Sequence, residues 1–136
     1  MKIKTHKMKN TYTELHFFIL SKGNNSGKPM ETPCPNCFVC LCKDEGEKQR
    51  LYWLFYGLWQ GMYFNPFITG SVIPFIRLDD LKQVAIEALA KIELKPDQFN
   101  KNISTLQLLN QHSNVITAQI NLIKQAKKAL MYQVLK

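Results

Sequence analysis

Short apolar runs in the N-terminal part of the chain predict β-strands. Residues 2–8 alternate between polar and apolar side chains, which is typical of a half-buried strand with lysines along its edge. Residues 15–21 contain three consecutive apolar side chains at 17–19, which indicate a strand that is buried on both faces. Residues 38–42 form a similar run, so we expect three strands in this part of the chain.

Residues 51–62 repeat apolar side chains with the period of a helix. The predicted buried face consists of Leu51, Leu54, Phe55, Leu58, Trp59 and Met62. Because Tyr52, Trp53 and Tyr56 make the other side aromatic, we expect the helix to be buried or to cover a partner surface. Base stacking by these aromatic side chains is an alternative. Residues 79–90 predict a shorter, amphipathic helix.

A turn and a short apolar run join these two helices. Gly70-Ser71 predicts the turn, because glycine accepts positive φ and serine bonds locally to the backbone. Residues 72–78 are rich in β-branched and aromatic side chains and predict a strand. Pro74 places that strand at an edge of the sheet or beside a bulge. Asp79 then stands where the N-cap of the second helix belongs.

The C-terminal part of the chain carries a heptad stripe. Its positions are Leu106, Leu109, Ser113, Ile116, Ile120, Ile123, Lys127, Leu130 and Val134. Steps of three and four residues over about four heptads predict a coiled-coil-like helix that needs a partner helix. Residues 110–114 are poor in helix formers, so a hairpin there is the competing interpretation. We predict an α+β fold with a small mixed α/β body, residues 1–95, and a helical arm, residues 96–136.

The net charge is +8 and is spread unevenly. Residues 1–28 and residues 95–136 each carry six lysines and one acidic residue, whereas residues 29–94 carry six basic and eight acidic residues. Basic surface attracts the phosphate backbone of nucleic acids, although it is also the ordinary solvated surface of many proteins. No apolar run is long enough for a membrane span or a signal peptide, so we expect a cytoplasmic protein.

Residues 22–29 predict a loop, because they contain two glycines, two asparagines, a serine and a proline. Its backbone N–H groups, together with Lys22 and Lys28, are suited to phosphate. A nucleotide triphosphate is excluded, because Lys22 occupies the position of the first Walker A glycine and Pro29 replaces its Ser/Thr. An ordinary surface loop is the alternative.

Four cysteines lie within residues 34–42, namely Cys34, Cys37, Cys40 and Cys42. Cys34-x-x-Cys37 is half of a zinc ribbon, but the second half is missing. Cys34-Pro35-Asn36-Cys37 resembles the redox motif of glutaredoxins, yet a strand-like run follows it instead of the helix that activates such a thiol. We therefore expect Cys40 and Cys42 to be reduced thiols, at least one of them buried, with no bound metal and no cofactor. If a metal is bound, these four thiols are its candidate ligands.

No residue pattern predicts an enzyme. His6, His16 and His112 lie far apart in the sequence and lack the neighbours of a catalytic triad. The pair Asp79-Asp80 is interpreted as a helix cap. We expect no catalytic residue.

The region from residue 51 to the C-terminus resembles the specificity subunit of type I restriction-modification systems. The resemblance rests on an apolar helix at residues 51–62, the Gly70-Ser71 turn, the run at residues 73–76, and Asp80-Leu81. In that family these features end a target recognition domain, and a proline-containing segment, here around Pro96, leads into a long helix.

The resemblance implies a half-sized, non-catalytic DNA-recognition module with one recognition domain and one helix. It further implies a homodimer or a pairing with a partner helix through the heptad stripe, with a methyltransferase subunit as a further partner. The predicted DNA contacts are Lys22, Asn24, Asn25, Lys28, Ser71 and Arg77. For Arg77, an ion pair with Asp79 or Asp80 is the alternative. A protein-interaction module and a zinc or thiol protein remain the other classes of function.

Overall fold

The computed structural model describes residues 1–136 and has an α+β fold. The chain divides into two compact units, Met1–Leu94 and Lys95–Lys136. The first unit contains four strands, a 3-10 helix (Asn65–Phe67) and two α-helices, and the second contains one α-helix. In chain order these are β1 (Lys2–Thr5), β2 (Leu15–Leu20), β3 (Pro29–Met30), β4 (Cys37–Cys42), α1 (Glu45–Gln60), α2 (Leu78–Glu93) and α3 (Pro96–Leu135).

The strands form one antiparallel sheet in the order β1-β4-β2-β3. Cys40 of β4 lies opposite Ile3 of β1 and Phe17 of β2, so these three side chains share one face of the sheet. Val39 lies opposite Lys4 and Phe18, which share the other face. The sheet therefore separates two groups of buried side chains.

The strand predictions are confirmed in their positions and corrected in their ends. β2 and β4 coincide with the predicted runs to within one residue, whereas β1 stops at Thr5 instead of residue 8. β4 is buried along its whole length, because apolar side chains cover it on both faces of the sheet. β3 was not predicted, since two residues that include Pro29 carry no pattern.

The main core lies between the Phe17 face of the sheet and the helices. The Phe17 ring contacts the rings of Tyr52 and Phe55 on α1, at centroid distances of 5.5 and 6.0 Å. Phe55 in turn stacks on Phe64, which is fully buried after the end of α1. α2 contributes Leu81, which is also fully buried. Burial of each such side chain stabilises the fold by roughly 1.5–3 kcal/mol.

α1 begins earlier than predicted because its N-terminus is capped. The Asp44 side chain accepts a hydrogen bond from the Glu47 backbone N–H at 2.8 Å, and the Glu47 carboxylate accepts one from the Lys43 N–H at 3.3 Å. The helix ends at Gln60, and Met62 has a left-handed φ of 63°. Met62 thus occupies the position where glycine usually ends a helix, and its side chain is exposed.

The predicted strand at residues 72–78 is wrong. Within it only Phe75 pairs, through isolated bridges to Lys22 and Thr69, and Pro74 has no N–H for a ladder. Helix α2 already begins at Leu78, which shortens the extended segment further. Asp79 is not the N-cap of α2 either, because Arg77 occupies that position without a side-chain hydrogen bond. Asp79 lies in the first turn, where its charge favours the helix dipole.

In the second unit, α3 is one continuous helix of 40 residues, so the hairpin at 110–114 does not form. Its length is about 60 Å at about 1.5 Å per residue. None of its residues is buried, and the apolar positions of the heptad stripe from Leu109 to Val134 are exposed to solvent. None of the helices combines the length and apolar character needed to cross a membrane.

Candidate functional site

The glycine-rich loop connects β2 to β3 and is joined by backbone hydrogen bonds to the segment that precedes α2. The Gly23 N–H donates to the Pro74 carbonyl at 2.7 Å, and the Ile76 N–H donates to the Ser21 carbonyl at 3.0 Å. Between these two bonds, Lys22 pairs with Phe75. Two stretches that lie about fifty residues apart in sequence therefore form one surface.

This surface contains all six residues predicted to contact DNA. Lys22, Asn24 and Asn25 are exposed on the loop, and Ser71 and Arg77 are exposed on the joined segment. The two asparagines precede Ser26, whose hydroxyl donates to the Gly23 carbonyl at 2.6 Å inside the loop. We call this surface, residues 22–28 together with 71–77, the loop surface.

Lys28 differs from the other predicted contacts, because it is half-buried. Its ammonium group lies 5.0 Å from the centre of the Trp59 ring on α1, which is cation–π geometry. Trp59 ends a row of half-buried rings on α1 in which successive centroids lie 5.0–5.6 Å apart, formed by Tyr52, Trp53, Tyr56 and Trp59. The helical spacing predicted that Trp59 lies on the buried face of the helix. In the structure its ring is only half-buried and lies beside Lys28.

The base of the loop is fixed by packing. Gly27 has φ +98°, and its Cα faces the Phe64 ring so closely that a Cβ would overlap the ring. Gly23 has a similar φ of +92°, with open space where its Cβ would be. The Phe64 ring therefore fixes the loop at Gly27, whereas at Gly23 hydrogen bonds hold it and no side chain packs against the Cα.

Arg77 forms no ion pair with Asp79 or Asp80, which was the alternative role predicted for it. The ion pair of the first unit joins Lys48 Nζ to Glu31 at 3.3 Å instead. The Arg77 side chain is exposed, so its charge faces solvent. Its guanidinium group is free to bind an anion.

Sequence reasoning missed an apolar tip on the loop surface. Val72 and Ile73 are 90% and 60% exposed, at the end of a short turn closed by reciprocal hydrogen bonds between Thr69 and Phe75. The two N–H to O distances are 2.9 and 2.8 Å. Gly70 has φ +108° in this turn. A strand was predicted here from β-branched residues, whereas the flanking Gly70 and Pro74 were the signal for a turn.

The alternation of β4 divides the cysteines between the two faces of the sheet. Cys37 packs with Phe18, Val39 and Leu41, and Cys34 packs against the same cluster. Cys40 and Cys42 lie on the opposite face and are buried as predicted. All four are free thiols, and no group of three or more His, Cys, Asp or Glu side chains is arranged to hold a metal ion.

Burial raises the pKa of the thiols on β4. The loss of solvent around Cys37 raises its pKa, and the neighbouring Cys34 thiol adds to this effect, although a hydrogen bond to the Cys34 carbonyl opposes it. Burial also raises the pKa values of Cys40 and Cys42. These thiols are therefore protonated at neutral pH, and Cys40 and Cys42 are poor nucleophiles and poor ligands.

Two histidines that are distant in sequence contact the same two aromatic rings on the face of the sheet that carries Phe18. His6 Nδ1 is hydrogen-bonded to the Tyr12 hydroxyl at 2.8 Å, and both His6 and His16 contact the Tyr12 and Phe18 rings. His6 is buried, and its Nε2 has no hydrogen-bond partner. The pairing of β1 and of β2 with β4, which lies between them, brings this cluster together, and no short sequence motif predicts it.

A family model matches residues 3–133, which is nearly the entire chain. The chain belongs to DUF6943, a family of unknown function. No curated protein and no solved structure matches the chain significantly. The match to DUF6943 spans both compact units, so α3 is part of the sequence that defines the family.

Proposed function

We propose that this protein binds duplex DNA as a non-catalytic, cytoplasmic recognition module, in the manner of a half-sized type I specificity subunit. The observation that carries the proposal is the pairing of residues 21–23 with residues 74–76. Lys22, Asn24, Asn25 and Arg77 are all exposed on or directly beside these paired stretches.

The chemistry of these side chains suits the two parts of a duplex. Lys22 and Arg77 are cations without an intramolecular ion pair, and such cations bind phosphate oxygens and position a protein on DNA. Asn24 and Asn25 carry amides that pair with adenine in the major groove. Lys28 supports the surface from its place over Trp59, and Ser71 adds a hydroxyl donor.

Replacing both Lys22 and Arg77 by Ala is expected to weaken binding to every duplex and to flatten its salt dependence. Each phosphate contact contributes about 0.9 to the slope of log K against log salt, so the double variant loses about 1.8 units. Fluorescence anisotropy with a mixed-sequence duplex, measured from about 50 to 200 mM salt, gives the slope for the wild type and for the double variant.

A control with Lys2→Ala and Lys91→Ala removes the same charge from the first unit. Lys2 lies on β1, at the opposite edge of the sheet from the loop, and Lys91 lies in the last turn of α2. This control is expected to keep the wild-type slope. Equal slopes for both double variants would show that charge alone, and not the loop surface, binds the duplex.

Replacing Val72 and Ile73 by Ser tests the apolar tip without changing charge. Exposed apolar side chains contact thymine methyl groups or base steps in protein–DNA complexes. We expect weaker binding with an unchanged salt slope, and an unchanged unfolding midpoint because both side chains are already exposed. A lower midpoint would instead assign the tip to the stability of the fold.

The exposed heptad stripe of α3 favours a second copy of the chain as the partner. A dimer of this kind would carry two loop surfaces, as the two recognition domains of a full-length specificity subunit do, and a methyltransferase subunit is the further partner that this resemblance implies. The same stripe supports the second candidate function, a protein-interaction module. Absence of duplex binding at about 50 mM salt, where charges are least screened, would favour that module.

A further inference from the structure

Both thiols of the turn Cys34-Pro35-Asn36-Cys37 donate hydrogen bonds to backbone carbonyls within the turn. The Cys37 thiol donates to the Cys34 carbonyl at 3.2 Å, and the Cys34 thiol donates to the Asn36 carbonyl at 3.4 Å. Both side chains pack in the same cluster of apolar residues, on the face of the sheet that carries Phe18.

The two thiols differ in their access to solvent. Cys34 is partly exposed before the start of β4, whereas Cys37 is buried as the first residue of that strand. A small-molecule disulfide can therefore reach Cys34 directly and Cys37 only through Cys34. This is the arrangement of an attacking thiol and a resolving thiol.

We propose that Cys34 and Cys37 form a reversible dithiol–disulfide couple that reacts with low-molecular-weight disulfides such as oxidised glutathione. The Cys34 thiolate attacks one sulfur of the small disulfide, whose S–S bond breaks, and one thiolate leaves and is protonated by water. Cys37 then loses its proton and attacks the Cys34 sulfur, which releases the second small thiol. The protein loses two hydrogens, and the small disulfide is reduced to two thiols.

Backbone contacts connect this couple to the neighbouring strands. The Ser21 N–H donates to the Asn36 carbonyl at 3.1 Å, and the His6 N–H donates to the Cys37 carbonyl at 3.1 Å. Ser21 immediately precedes the loop surface, so the disulfide constrains the residue from which that loop departs. The proposed reaction of Cys34 and Cys37 does not depend on whether the protein binds DNA.

The second pair of thiols provides an internal comparison. Cys40 and Cys42 are also neighbours on one face of β4, but both are buried on the helix side of the sheet. A small disulfide has no access to either sulfur in the folded protein. Oxidation is therefore expected to be confined to Cys34 and Cys37.

The test is intact-mass spectrometry of the native, reduced protein after incubation with excess oxidised glutathione. We expect the wild type to lose two hydrogens without retaining glutathione, and dithiothreitol to restore the original mass. Cys37→Ser is expected to retain one glutathione, because the mixed disulfide at Cys34 has no resolving thiol. Cys34→Ser is expected to keep its full mass, with no loss of hydrogens and no retained glutathione.

The double variant Cys40→Ala/Cys42→Ala assigns the bond, since all four thiols lie within nine residues. It is expected to lose two hydrogens as the wild type does. A folded wild type that keeps its full mass would overturn the proposal, and so would retained glutathione without loss of hydrogens. If Cys40→Ala/Cys42→Ala no longer reacts but keeps an unchanged circular dichroism spectrum, the disulfide forms between Cys40 and Cys42 and the proposal is wrong.

Discussion

Replacing Ile120 and Ile123 by Asp is expected to abolish self-association of the chain through α3. Both side chains lie on the heptad stripe and are exposed in the single chain. In a paired helix, burial of each isoleucine side chain would contribute about 1.5–3 kcal/mol to the free energy of association. Aspartate at the same position would bury an unpaired charge instead. Loss of only about 3 kcal/mol per dimer weakens association by more than about a hundredfold. Sedimentation equilibrium over a range of protein concentrations measures this change.

The matched control places aspartate at Leu108 and Leu122. These leucines are also exposed on α3, but each lies two residues after a seam position and therefore off the stripe. The control is expected to associate as the wild type does. An Ile120/Ile123 variant that keeps the mass of a dimeric wild type would exclude the stripe as the interface.

Replacing Gly27 by Ala is expected to destabilise the first unit by about 2–5 kcal/mol. The positive φ of +98° costs a side chain about 1–2 kcal/mol, and the new Cβ overlaps the buried Phe64 ring, which adds about 1–3 kcal/mol of overpacking. Urea unfolding followed by tryptophan fluorescence reports on this unit, because both tryptophans lie on α1.

Gly23→Ala is the matched control, since it has nearly the same φ and nothing within 4 Å of its Cβ. It is expected to cost only the backbone term of about 1–2 kcal/mol. Equal losses in the two variants would mean that Phe64 moves aside and does not anchor the loop.

The sequence predicted the elements whose periodicity is set by burial in the core. β2, β4 and the buried residues Leu51, Leu54, Phe55 and Leu58 of α1 were all indicated by apolar spacing. The segment at 72–78 was mispredicted because β-branched residues favour strands only where a neighbouring strand is available. Val72 and Ile73 have no such neighbour, and they are exposed as a result.

The candidate site was predictable as separate pieces but not as one surface. The basic loop was identified from local composition, and Arg77 from its place beside the turn that resembles the end of a recognition domain. Their contact depends on hydrogen bonds from Ile76 to Ser21 and from Gly23 to Pro74, which join distant parts of the chain. Local patterns carry no information on such pairing. The meeting of His6 and His16 across β4 was hidden for the same reason.

No residue of α3 is buried, so packing within the single chain adds little to the stability of this helix. Helix propensity alone gives marginal stability in water, and α3 contains many asparagine, serine, threonine and β-branched residues, which are poor helix formers. Its apolar stripe gains stability only when another helix covers it. If a second helix pairs with the stripe, the helical content of α3 is expected to rise with the concentration of that helix, and the folded fraction of the second unit would then depend on how abundant the pairing chain is.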